Sequence, residues 1–388
     1  MYNQESTEQI ADQIILIAGP DSKVGSRVYG GGVGGYTRNL STYLCSLSVS
    51  GVTMKPLHLT VRGYGGIVAG NPVARLVRDI NSLLVACFRE RPRMVHVLAQ
   101  YRGALPREFA MAIVCRALGV GFIYDIKAGA FETSYENSSW IYRLMVRTVV
   151  KLSNIVFVEG KRTKRFVEKK LGKETIFFPN FVPHEEVPTS SAHLFSSDHI
   201  RVLFVGYCYR GKGVYELVEA CHKAARPDIR IELKLVGEES SEFQSWMDGL
   251  PPIDNLDITR HGRVPHENVL DLMQSADIYV YPTSHPGEGH NNSINEAMMY
   301  GLVIISTKKG FLADVLKPNC AHFLDSGSSE EIAATLSTIV AAKDDARQMA
   351  GRARARLMEE FTSKRASVRY ANAYRSAIGT SSEVDGSR

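Results

Sequence analysis

Twice along this chain, short runs of β-branched and aromatic residues alternate with longer stretches of helical spacing, and no other feature constrains the fold as tightly. In the first series QIILIAG (13–19), MVHVLA (94–99), GFIYDI (121–126) and NIVFVEG (154–160) read as buried strands. Helical spacing fills GGYTRNLSTYLCSLSVSG (34–51) and PVARLVRDINSLLVACFRE (72–90) between them. Such alternation predicts a parallel sheet covered by helices on both faces. Residues 179–199, PNFVPHEEVPTSSAHLFSSDH, then bring three prolines and four serines without periodicity, the composition of a link between domains. A second series follows, with strands at 200–207, 229–238, 277–282, 301–307 and 321–325. Its helices are expected at 212–225, 267–276, 328–342 (opening at Ser329) and 363–379.

At 388 residues the chain is long for one core. The expectation is an α/β protein of two doubly wound, Rossmann-like domains facing across a cleft. They span residues 1–184 and 200–360, with a linker at 185–199, a helix at 361–378 crossing back to the first domain, and a disordered tail at 379–388. Ligands of such folds sit at the carboxyl ends of the strands, which places the default site in the cleft.

Charge is distributed unevenly. Residues 1–184 hold 24 basic and 13 acidic residues, and the remainder 22 and 28. A basic half suits an anionic partner such as a phosphate or an anionic lipid; no DNA-reading motif occurs, so no nucleic acid is expected. The six cysteines (Cys45, Cys87, Cys115, Cys208, Cys221, Cys320) are scattered without a CxxC pair and read as reduced core residues of a cytoplasmic protein. The start, MYNQESTEQIADQIILIAGP, has no basic stretch before its apolar run and does not read as a signal peptide. No uncharged apolar run reaches the length of a membrane span.

The stretch PGEGHNNSINEAMMYG (286–301) carries the most chemistry. Ser293 stands three residues before Glu296, the spacing of a capping box at a helix start. A glycine-rich turn that follows a strand and feeds a helix amino terminus offers free N–H groups and a positive dipole to phosphate. Glu288 and Glu296 add acceptors for hydroxyls on either side. Two carboxylates around an anion site describe a nucleotide-sugar pocket. The GxGxxG at Gly30, Gly32 and Gly35 invites a dinucleotide-binding reading instead. It stands ten residues beyond its strand, however, and MKPLHLTV supplies no acidic residue where the ribose would need one.

The span ADIYVYPTSHPGEGHNNSINEAMMYGLVIIST resembles the donor-binding region of the glycosyltransferase family 4 enzymes, retaining transferases of the GT-B fold. Glu288 and Glu296 in a Glu-x7-Glu pattern, followed by Ala297, Met298, Gly301 and VII, match the family's signature. The resemblance runs from about residue 13 to 378 and is specific in the C-terminal half. It implies that the N-terminal domain binds an acceptor and the C-terminal domain a nucleotide-diphosphate sugar. Glu288 would position the sugar and Glu296 the ribose hydroxyls. Gly289, His290, Asn291, Asn292 and Ser293 would present amides to the diphosphate. RVLFVGYCYRGKGVYELVEAC matches the family's phosphate-clamp segment, with Gly206 at its turn and Lys212 as the clamp cation. The family's arginine after the first glycine is replaced here by Tyr207, with Arg210 the nearest cation. Arg263 and Val264 fall where the backbone holds the base, and Gly34 and Gly35 where a glycine pair lies under the phosphates. Lys127 stands where many relatives have a histidine near the reacting sugar. A lysine is a poor base unless its pKa falls.

Absence of any Asp-x-Asp argues against a metal-held diphosphate, so no metal and no cofactor are expected. UDP is the favoured donor nucleotide. Finally, Arg143, Arg147 and Lys151 recur every four residues beside Trp140, Ile141 and Leu144, and Lys161, Arg162, Lys164 and Arg165 follow soon after. Basic amphipathic stretches of this kind suit an anionic membrane surface. The expected function is transfer of a hexose-type sugar to a glycan or lipid-linked acceptor, by a cytoplasmic protein peripheral on the inner face of the plasma membrane. A UDP-sugar 2-epimerase of the same fold and a non-catalytic nucleotide-sugar-binding protein are the alternatives.

Overall fold

The computed structural model describes residues 13–20, 52–59, 71–99, 102–127 and 129–382. They form two six-stranded sheets whose paired strands are all parallel. The first contains β1 (Gln13–Pro20), β2 (Val52–Leu59), β3 (Met94–Ala99), β4 (Gly121–Ile126), β5 (Ile155–Val158) and β6 (Ile176–Phe177), in the order β2-β1-β3-β4-β5-β6. The second contains β7 (His199–Val205), β8 (Arg230–Val236), β9 (Leu256–Gly262), β10 (Ile278–Tyr281), β11 (Val303–Thr307) and β12 (His322–Leu324), in the order β12-β11-β10-β7-β8-β9. Central strands such as MVHVLA and VIIST are buried along their whole length because helices cover both faces.

Strand order reverses once in each sheet. In the second, the chain steps outward from β7 to β8 and β9, then returns to β10 on the other side of β7. The carboxyl ends of β7 and β10 therefore diverge into a crevice, the place where open parallel sheets bind ligands.

Asp277, just ahead of β10, ties the amino ends of β7 and β10, opposite the crevice, to the interdomain segment. It is fully buried, accepts from the Arg201 guanidinium at 2.6 and 3.0 Å and from the Arg201 backbone at 2.8 Å, and also takes the Phe195 N–H. The helix Ser363–Ser382 packs Ala366, Tyr370, Ala373 and Tyr374 onto the first sheet. Its Tyr370 hydroxyl lies 3.1 Å from His96 Nδ1, and His96 Nε2 lies 3.1 Å from Asp125, so a buried polar chain fixes this crossing.

One helix end differs from expectation. The crossover helix runs past Gly379 to Ser382, an interior glycine costing only about 1 kcal/mol. The helix Ser329–Ala341 opens at Ser329 as expected, capped by Ser328, whose side chain accepts the Glu331 N–H. Lys343–Glu360 forms a further helix, burying Ala346, Ala350, Ala353 and Leu357. Substituting Asp277→Ala should cost about 3–5 kcal/mol of stability, since it leaves the Arg201 charge and the Phe195 N–H without their partner. Urea unfolding of the variant against the parent checks this.

Candidate active site

Lys212 and Glu288 meet where β7 and β10 part. β7 hands over to a turn ending in Arg210–Lys212, and Gly213 then opens the helix Val214–Ala224 with φ 72°. A side chain at Gly213 would collide with the Pro282 carbonyl, 2.2 Å from the Cβ position, so glycine lets this turn lie against the end of β10. The loop after β10 carries Glu288 back to the same point. Lys212 Nζ sits 2.7 Å from Glu288 Oε2 and 2.8 Å from the Tyr281 hydroxyl. Tyr281 donates to Glu288 Oε1 at 3.0 Å, and Thr283 Oγ1 donates to Oε2 at 3.0 Å. The Glu288 carboxylate is thus held by one cation and two hydroxyls in an almost fully buried setting.

The helix Asn292–Tyr300 begins a few residues on, and its start corrects the capping-box expectation. Asn291 is the cap, its Oδ1 accepting the Ser293 N–H at 2.9 Å and the Ser293 hydroxyl at 2.8 Å. Ser293, already inside the helix, lies 2.6 Å from the Tyr279 hydroxyl. Glu296 does not reach back to the helix end; its Oε1 lies 3.0 Å from His266 Nε2, at the start of the helix His266–Ser275. One turn of helix separates cap from carboxylate, and a nearby imidazole offers a better partner than the already occupied end.

His290 is buried and links the domains. Its Nε2 lies 2.8 Å from Asn295 Oδ1, its carbonyl accepts from Asn180 at 2.6 Å, and Asn295 donates to the Asn180 carbonyl at 3.2 Å. Burial brings the imidazole down to about 3, so it is neutral. His285 Nδ1 accepts the Gly287 N–H at 2.9 Å. Both histidines therefore serve the loop, and among the described residues no group of three or more His, Cys, Asp or Glu side chains gathers as a metal site would require.

Across the cleft the first domain presses on this loop. A Cβ at Gly129 would stand 2.4 Å from the Glu288 carbonyl, so only glycine permits the approach. Lys127 has a 4 % exposed side chain, and its ammonium donates to the Phe178 carbonyl at 2.7 Å and stands 3.5 Å from Asp125. Arg210 is paired with Glu242 at 2.9 Å and stacked over Tyr215. Gly206 continues β7 through a bond to the Val236 carbonyl, Val264 packs against the core, and Arg263 follows β9. Gly34 and Gly35 lie outside the described residues, as do Gly30 and Gly32.

Sequence reasoning passed over Tyr281, Thr283, His266, Asn180 and Glu159. Tyr281 had a signal, since Tyr279 and Tyr281 alternate on one side of a strand whose end faces the site. Glu159 had another, an acid directly after a buried strand. It is 3 % exposed, and burial pushes its carboxyl up to about 7 against the opposing pull of Lys127 and the His290 N–H.

Comparison with known proteins agrees with this layout. The chain has the GT-B fold: sucrose-phosphate synthase from Thermosynechococcus elongatus superposes with a TM-score of 0.69 at 16 % identity, covering 95 % of this chain and 100 % of that one. Anabaena HepE, solved with UDP-glucose, superposes with a TM-score of 0.65 at 14 % identity over 94 % of this chain and 99 % of that one. The gpi3 subunit of phosphatidylinositol N-acetylglucosaminyltransferase from Schizosaccharomyces pombe is 26 % identical over 147 residues, 37 % of this chain and only 31 % of that relative's length. Residues 188–356, which contain Lys212, Glu288 and Glu296, match the family model of the group 1 glycosyl transferases, and that match supports a glycosyltransferase.

Proposed function

We propose that the protein is a retaining glycosyltransferase that moves a hexose-type sugar from a nucleotide-diphosphate sugar to a hydroxyl of a glycan or lipid-linked acceptor, without a metal ion. The observation that carries this reading is the convergence of Lys212 and Glu288 at the crevice between β7 and β10, beside the start of the helix Asn292–Tyr300. An ammonium has three N–H donors. Two are directed to Tyr281 and Glu288, which leaves one for a diphosphate oxygen. Glu288, held by Tyr281 and Thr283, would fix the sugar hydroxyls, and Glu296, oriented by His266, would accept from the ribose. Gly206 would stand at the phosphate-clamp turn, and Arg263 and Val264 would line the base end, with UDP the favoured nucleotide; HepE, of similar fold, was solved with UDP-glucose.

In the reaction, the acceptor oxygen forms its bond to the anomeric carbon on the face from which the diphosphate departs. The bond from that carbon to the phosphate oxygen breaks, and the hydroxyl proton passes to the leaving diphosphate. Negative charge grows on the diphosphate, where Lys212 and the loop amides stabilise it without proton chemistry. Lys127, engaged by a carbonyl and a carboxylate, contributes charge and not a base. Lys212→Ala and Glu288→Gln should each lower sugar transfer by about 10²–10³. Release of the nucleoside diphosphate in the presence of acceptor measures this, and wild-type turnover in both variants would sink the assignment.

We also place the protein at an anionic membrane surface. The helices Pro72–Glu90 and Trp140–Leu152, each packed against the helix Leu105–Ala117, expose Val73, Val77, Val85, Phe88, Trp140 (73 %), Ile141 and Leu144, with Arg143, Arg147 and Lys151 on the second of them. The second basic group fits less well, since Lys164 is paired with Glu168, Arg162 stands 3.7 Å from Glu132, and Lys161 and Arg165 lie on a different helix. Among the described residues no helix is long and apolar enough to cross a membrane. The five described cysteines are unpaired and buried, which fits a reducing compartment such as the cytoplasm. Sedimentation with phosphatidylserine-containing liposomes should be strong at low salt and weakened by salt, and should fall on Trp140→Ser with Ile141→Ser. Failure to sediment at low salt would dismiss the membrane reading.

A further inference from the structure

Glu159 belongs to the first domain, where β5 runs into it and Gly160 starts the next helix. Its carboxylate nevertheless faces the loop of the other domain. It accepts the backbone N–H of His290, and a Cβ on Gly289 would lie 3.0 Å from Glu159 Oε2. Burial of a carboxylate is costly, and a small apolar side chain in its place would avoid that cost. Here the compensation is partial. Lys127 attracts the carboxylate, whereas Asp125 and Glu288 repel it, and His290 beside it is neutral. A residue kept at such cost, at the carboxyl end of a strand and on the loop that carries Glu288, is placed for function more than for stability.

We propose that Glu159 is a positioning residue, the catch by which the first domain fixes the Glu288–Asn291 loop in its donor-binding shape when the cleft is closed. This rests on the donor-site reading above. It also withdraws the His290 N–H from the amides available to the diphosphate. Lys127 acquires a role as the counter-charge that opposes the cost of burying Glu159, and its seat on Asp125 connects the catch through His96 to Tyr370 of the crossover helix.

The test compares the full-length parent with Glu159→Ala and Glu159→Gln by hydrogen exchange and by calorimetric titration with UDP and GDP. Gln keeps an acceptor for the His290 N–H and removes only the charge. In Glu159→Ala, amides in residues 286–292 should exchange about tenfold faster, the scale of a lost hydrogen bond to a charged group. β5 and β9 should keep parental protection, and the affinity for the diphosphate should fall about tenfold. Glu159→Gln should recover both quantities to within about threefold. Unchanged loop exchange in Glu159→Ala would overturn the proposal. So would tighter diphosphate binding, which would make the carboxylate a competitor of phosphate, or loosening of the whole first domain in both variants, which would make it a packing residue. A parent that binds neither UDP nor GDP while Glu159→Ala still frees the loop would remove the donor reading and leave the catch standing.

Discussion

The ion pair between Lys212 and Glu288 is the contact on which the rest of the site depends. It joins two segments 76 residues apart in sequence at the one point where the strand order of the second sheet reverses. Buried charges tolerate such a place only when paired and hydrogen-bonded, and Tyr281 and Thr283 complete the set. The same contact makes chemical sense of the crevice. A cation already oriented by protein groups needs little reorganisation when a second anion arrives, and preorganised charge is the largest single contribution most transferases of charged leaving groups can use.

Closure of the cleft is written into small residues. Gly129 meets the Glu288 carbonyl, and Gly160 meets the Phe311 ring so closely that a Cβ would stand 2.1 Å from it. Asn180, His290 and Asn295 add hydrogen bonds between the domains. The first domain is therefore brought up to the loop that carries Glu288. The uneven charge of the chain follows the same division, since the basic half carries the exposed apolar helices and the acidic half carries the pocket.

Much of the fold was legible because parallel sheets covered on both faces impose a strong pattern on sequence. Strands such as MVHVLA and GFIYDI and the helix Pro72–Glu90 fall where periodicity puts them. The Lys343–Glu360 helix is harder to see, since its buried stripe is mostly alanine amid charge. In the site, Glu288 and Lys212 could be read from their motif and their place after strands. The partner of Glu296 could not, because Ser-x-x-Glu spelled a capping box while Asn291, two residues earlier, supplied the cap and His266, thirty residues earlier, took the carboxylate. Local spacing cannot report a contact made between two helices distant in sequence. Glu159 was missed for the same reason: its meaning lies in a loop of the other domain.

One measurement bears most directly on the donor pocket: thermal unfolding of the protein with a chelator present, against UDP, GDP, ADP, CDP and TDP. A ligand held by the native state at a hundred times its dissociation constant adds about 2.7 kcal/mol. The account predicts a clear rise in Tm with one nucleoside diphosphate, UDP foremost, lost in Lys212→Ala. No rise with any diphosphate, or a rise only when a divalent ion is restored, would contradict it.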